Sequence, residues 1–199
     1  MVNCKLSNCK FLWFAAAMTV IVGCQSGQST RSCHVKGTVA DSALEGKRIV
    51  IEPLDMSTTS VKSDTVEIKD GKFETTLDSV LIYKVMPADG IYYSTLQPII
   101  IVGEPGEVWV KLGVDSHSGG TVQNDTLENW KVLTEAHSHT YTQLRATASQ
   151  LASKGDTAQA SAMNKQADSL HIAYIGRTRS MAEGVGKGPL YDFLSRFFK

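Results

Sequence analysis

Thr65-Val66-Glu67-Ile68-Lys69-Asp70-Gly71-Lys72-Phe73-Glu74-Thr75-Thr76-Leu77 alternates apolar and polar residues on both sides of Asp70-Gly71. Asp-Gly between two such runs points to a type I′ hairpin, because both central residues of that turn need positive φ. A two-residue loop would set Lys69 opposite Lys72, Ile68 opposite Phe73, Glu67 opposite Glu74 and Val66 opposite Thr75. Val66, Ile68, Phe73 and Leu77 then share one face, while Glu67, Lys69, Lys72 and Glu74 share the other. With one face dry and the other wet, the hairpin is expected to cover a core.

The same pattern extends outward from this segment. Val35, Gly37 and Val39 alternate with polar neighbours, and Arg48-Ile49-Val50-Ile51-Glu52 reads as a strand covered on both faces. Leu81 to Met86 and Pro98 to Val102 are further strands. Glu104-Pro105-Gly106-Glu107 fits a type II turn, with Pro second and Gly third. Val108, Val110 and Leu112 follow in alternation, with Trp109 on the opposite side. Many short strands at this spacing suggest an antiparallel β-sandwich or an open barrel.

After Gly119-Gly120 the period changes. Leu127, Trp130, Leu133, Tyr141, Leu144 and Leu151 recur at helical intervals. Asn124 or Asp125 is expected to cap this helix and Gly155 to end it. Asp156 would cap a second helix carrying Ala160, Met163, Ala167, Leu170, Tyr174 and Met181 on its apolar side, and the two helices would pair antiparallel. Gly184 to Pro189 breaks the second helix. Leu190, Phe193, Leu194, Phe197 and Phe198 then mark a short terminal helix that should dock on the body or on a partner. The expected fold class is mainly β with a C-terminal α part: a β domain over 33–122, then a helical hairpin and terminal helix over 123–199.

The N-terminus has a different character. Lys5 and Lys10 precede an apolar run of 13 residues, Phe11 to Gly23. As a helix it would be about 20 Å long, short of the ~30 Å of hydrocarbon in a bilayer. A charged start and a short apolar segment fit a secretory signal. Ile21-Val22-Gly23-Cys24 resembles the lipobox of bacterial lipoproteins. The resemblance implies cleavage between Gly23 and Cys24, with diacylglycerol and further acyl chains on Cys24. One chain holds a protein only marginally, and two or three hold it stably. The signal is expected to span 1–23, and the Gln/Ser/Gly/Thr-rich stretch 24–32 to be a tether. Gln25 after the lipid cysteine, with no acidic cluster following, resembles the outer-membrane sorting preference, facing the periplasm.

Removing that signal, with its two lysines, from 199 residues holding 20 basic and 20 acidic side chains leaves 176 residues with 18 and 20. No basic face for nucleic acid is expected. Of the four cysteines, only Cys33 would stay unmodified, so no internal disulfide and no Cys-x-x-Cys redox pair can form. Cys33 reads as a small buried apolar residue near the first strand.

Several segments together resemble the DUF4369 family, a β-rich N-terminal domain of bacterial lipoproteins often followed by an AhpC/TSA thioredoxin-like domain. They are Val35-Lys36-Gly37-Thr38-Val39, Asp64 to Glu74, Gly103-Glu104-Pro105-Gly106-Glu107-Val108, and Gly120-Thr121-Val122-Gln123-Asn124-Asp125-Thr126-Leu127. The sequence reaches Lys199 without such a redox domain. The resemblance therefore implies a domain rather than an activity, and it carries over no catalytic residue.

The motifs of metalloproteases, serine hydrolases and P-loop proteins are absent. Gly184-Val185-Gly186-Lys187-Gly188 follows a helix rather than a strand, so it reads as a break between helices. His137 and His139, two apart on a helix, face different ways, and His34, His117 and His171 stand isolated. No metal site, cofactor or catalytic residue is expected. A tripeptide of Asp, Ser or Thr, and an apolar residue recurs with its hydroxyls at Ser42, Thr65, Ser79, Thr126, Thr157 and Ser169. It resembles an O-glycosylation motif of exported proteins in some anaerobic Gram-negative bacteria. The same residues also serve turns and caps. Ser42 and Thr157, in exposed turns, are the better acceptors. The expected function is a non-catalytic binding or protein-interaction module, held to the membrane through Cys24 and meeting a protein partner at its helical region. The alternative is an accessory to thiol–disulfide exchange through a separate thioredoxin-like partner.

Overall fold

The computed structural model describes residues 32–55, 60–88 and 96–198. The strands are β1 (Cys33–Val39), β2 (Arg48–Pro53), β3 (Asp64–Glu67), β4 (Lys72–Leu77), β5 (Ile82–Pro87), β6 (Ile99–Val102), β7 (Gly106–Leu112) and β8 (His117–Gly119). The helices are α1 (Val122–Ser153), α2 (Thr157–Val185) and α3 (Pro189–Leu194). Two four-stranded sheets form, in the orders β4-β1-β7-β8 and β3-β2-β5-β6. Neither sheet closes into a barrel, and the first is mixed rather than antiparallel, because β1 runs parallel to β7. A parallel neighbour needs a long crossover, and β2 to β6 supply it. Of the described residues, 47 % are helical and 28 % are in strands. The mainly β expectation is thereby corrected: two helices of 32 and 29 residues outweigh eight short strands.

The turn at Asp70-Gly71 forms as its sequence requires. Asp70 lies at φ +52° and Gly71 at φ +68°, and Lys69 and Lys72 exchange both backbone hydrogen bonds, at 2.8 and 3.0 Å. The ladder expected beyond it does not form. Ile68 N–H donates to Lys47 O at 2.8 Å, β3 pairs with β2, and β4 pairs with β1. The two arms part because each finds a longer partner, in a different sheet. The face assignment survives the split: Ile68, Phe73 and Leu77 are buried in the common core, and Val66 packs against it.

That core lies between the sheets. Val35, Ile49, Ile51, Phe73, Tyr83, Val85, Ile101, Val108, Val110 and Leu112 are its centre. Gly37 faces Phe73 across β1 and β4, and a Cβ there would stand 2.0 Å from the Phe73 ring. The aromatic ring fills the space over the glycine. Val50 is half-buried. The strand covered on both faces is instead β6, where Ile99 and Ile101 enter the core while Ile100 and Val102 join a second apolar cluster. Gly106 lies at φ +134° and begins β7, away from the ~+80° of the type II turn expected at Glu104 to Glu107.

The second cluster sits on the outer face of the β3-β2-β5-β6 sheet. It joins Val102 and Ile82 to Leu127 and Trp130 of α1, Met181, Ala182 and Val185 of α2, and Leu190 and Leu194 of α3. A six-residue helix cannot hold by itself. Leu190 and Leu194 are fully buried, each contributing about 1.5–3 kcal/mol. Trp130 meets Phe193 edge-on at 5.5 Å and Phe197 at 4.7 Å. The apolar face of the terminal helix is thus covered by the protein's own body.

Candidate functional site

Gly23 and Cys24 lie outside the described residues. The six hydroxyls of the repeated tripeptide fall on separate elements and do not come together. Asp41 accepts from Ala43 N–H at 2.9 Å, leaving Ser42 exposed on a single 3-10 turn. Asp64 accepts from the backbone N–H of Thr65, which is exposed on β3. Ser79 is half-buried and its carbonyl accepts from the Tyr83 hydroxyl at 3.1 Å. Thr126 Oγ1 donates to Val122 O at 2.8 Å, and Ser169 Oγ to Lys165 O at 2.9 Å. Asp156 caps α2 by accepting from Gln159 N–H at 3.1 Å, beside exposed Thr157. Three of the six aspartates, Asp41, Asp64 and Asp156, accept from backbone N–H groups one to three residues on, and the exposed hydroxyls are those of Ser42, Thr65, Thr157 and Ser169.

The start of α1 departs from expectation. Its cap comes from another part of the chain: Glu104 accepts from Gln123 N–H at 2.6 Å and from Gln123 Nε2 at 3.1 Å. A carboxylate at this end also complements the helix dipole. Asn124 is one helical residue of α1 rather than its cap. Its Oδ1 accepts from Val102 N–H and its Nδ2 donates to Val102 O, both at 2.9 Å. Asp125 accepts from Gly120 N–H at 2.9 Å.

Two groups of polar side chains gather where the sequence left them apart. His117 lies between carboxylates, with Nδ1 2.5 Å from Glu128 and Nε2 3.1 Å from Asp115. Lys131 donates to Ser116 O and approaches Glu128 at 3.5 Å. Both ring nitrogens of His117 are occupied by carboxylates, so neither faces a nucleophile as a catalytic base must. This group braces β8 against α1. Next to it a cleft of about 190 Å³ is lined by Pro98, Ile100, Ser118, Trp130, Lys131 and Glu135 among others. Ser118 Oγ and Trp130 Nε1, both buried, have no hydrogen-bond partner among the described residues. The volume is below the ~300–1,000 Å³ of a pocket for a drug-sized ligand.

The other group lies in the seam between α1 and α2. Trp130, Thr134, His137, Tyr141, Leu144, Ala148 and Leu151 step by four and three along α1, the spacing of a coiled-coil face. His137, read from sequence as facing away from His139, and His171, read as isolated, meet across this seam. His137 Nε2 and His171 Nδ1 are 3.3 Å apart. The His137 ring stacks on Tyr174 at 4.3 Å and on Tyr141 at 5.4 Å. Tyr174 OH meets Thr134 Oγ1 at 3.1 Å. Tyr141 OH accepts from Arg145, whose other nitrogens reach Asn164 at 2.7 Å and Asp168 at 2.5 Å. Burial, reinforced by His171 beside it, lowers the pKa of His137 below its ordinary 6.5. The spacing of 34 residues gives no sequence signal for the pair; only the antiparallel register, with the turn at Gly155, would have placed them together.

Cys33 is fully buried. Burial first, and then the Glu104 carboxylate, push its thiol up to about 11. It is therefore protonated and unreactive at neutral pH. No helix of the described residues is long and apolar enough to cross a membrane. Comparison with family models, curated proteins and solved structures returns no match.

Proposed function

We propose that this chain is a lipid-anchored protein of the bacterial envelope, held by Cys24 and facing the periplasm from the outer membrane, that acts as a non-catalytic interaction module. The lipobox-like Ile21-Val22-Gly23-Cys24 and the short apolar run before it support the anchor. The resemblance of the β domain to the DUF4369 family supports the same setting. The observation that carries the interaction reading is the helical arm. Its base packs on the β body through Leu127, Trp130, Met181, Ala182 and Val185. From Trp130 to Ser153, α1 runs about 35 Å further, paired with α2. Val132 and Ile172 are exposed apolar side chains on this arm.

Two measurements test the proposal. Labelled palmitate should enter the wild-type protein and not Cys24→Ala, with the cleaved wild type beginning at a modified Cys24 by mass spectrometry. A photo-crosslinking side chain at Ile172 should form a discrete adduct in intact cells, while one at exposed Val114 of the β body should not. An unmodified Cys24 overturns the anchor, and equal or absent adducts overturn the arm as the interacting surface.

A further inference from the structure

We propose that His137 Nε2 and His171 Nδ1 form a two-nitrogen site for a divalent metal ion of the zinc class, bound across the middle of the helical arm. In tetrahedral coordination at about 2.0–2.1 Å, two ligand nitrogens stand about 3.3–3.4 Å apart. The two imidazole nitrogens stand 3.3 Å apart. That separation lies beyond the usual 2.7–3.2 Å range of protein N–H hydrogen bonds, so the direct contact is a weak one. The ring centres are 5.3 Å apart, near the ~5 Å of two imidazoles on one tetrahedral ion.

The site is also held in place. His137 is clamped between the Tyr141 and Tyr174 rings, inclined to them by 27° and 19°. Those rings are fixed by Arg145 and Thr134. A ligand whose supporting contacts lock its orientation loses little freedom on binding metal. His171 is exposed, so water can complete the coordination. Among the described residues no group of three or more His, Cys, Asp or Glu is placed to hold a metal, so the protein supplies this site with two ligands. Two imidazole nitrogens without a carboxylate suit zinc, copper or nickel, and not the oxygen-seeking magnesium or calcium.

Zinc chloride titrated into the full-length protein in detergent, at about pH 7.5, tests this by calorimetry. One equivalent should bind to the wild type and raise the melting temperature of the arm. His171→Gln should weaken that event at least about tenfold and abolish the thermal shift. His139→Gln, an exposed side chain facing Gln143, should leave both unchanged. Cobalt(II) in place of zinc should give the absorption of a tetrahedral ion in the wild type only. Zinc uptake and thermal shift equal in the wild type and in His171→Gln overturn the site, as does a wild type that takes up no ion at millimolar zinc. His137→Gln repeats the comparison from the other helix.

Discussion

Asn124 closes an edge that would otherwise be open. β6 is the last strand of its sheet, and an edge strand exposes unpaired backbone groups. The Asn124 amide satisfies both groups of Val102 and also donates to Thr121 Oγ1 at 2.7 Å. It imitates a neighbouring strand from within a helix. Asn124→Ala would leave a buried donor and acceptor unpaired, at about 1–3 kcal/mol for each such group. A loss of about 2–4 kcal/mol is expected in urea unfolding; a loss below 1 kcal/mol would show that water replaces the amide. At this scale the sequence was legible where partners are local. The Asp70-Gly71 turn and the Asp156 cap need only neighbours a few residues away. Asn124 as an edge partner, Glu104 as a cap and the Cβ-free space at Gly37 depend on residues about 20 to 36 positions distant, and no local spacing encodes them.

The helical hairpin was legible as an element because its apolar residues recur at a helical period. Its polar seam was not, since a coiled-coil face with Thr134, His137 and Tyr141 in it breaks the apolar count. Polar side chains in such a seam cost stability and fix register. His137 should make the arm sensitive to acid. Its folded pKa lies below the ordinary 6.5, so the unfolded chain takes up the proton first, and stability rises with pH across that interval. The contribution is complete above about 6.5 and is lost as pH falls through the folded value. The groups around it are His171, Tyr141 and Tyr174, with the Arg145–Asp168 pair beyond. With metal removed, the helical signal should melt at lower temperature at about pH 5.5 than at about pH 7.5. His137→Gln should shrink that difference; an unchanged difference would assign the acid sensitivity to other groups.

At the scale of the whole molecule, the two apolar clusters divide the labour. The first lies between the sheets and the second fastens the base of the arm to the outer sheet. The distal arm contributes to neither. Replacing residues 135–173 with a short glycine linker should therefore leave the β body folded, with its urea midpoint shifted by less than about 1 kcal/mol equivalent. Collapse of the β signal on excision would mean that the arm is part of the body's fold. The architecture was only partly legible for the same reason as the residues were. Strand alternation marks faces but not partners, so it could not show that β3 and β4 separate into different sheets or that β1 lies beside β7.

The parallel pairing of β1 with β7 has a consequence in time. Cys33 stands beside Gly106 and opposite Leu77, so the first strand of the domain waits for the last third of it. Closing such long loops carries an entropic cost before any contact rewards it, and folding slows accordingly. A chain emerging N-terminus first can therefore not complete the β4-β1-β7-β8 sheet until residue 119 has appeared. Were the protein exported as proposed, that delay would lengthen the time during which the β domain is still open enough to be threaded through a translocation pore.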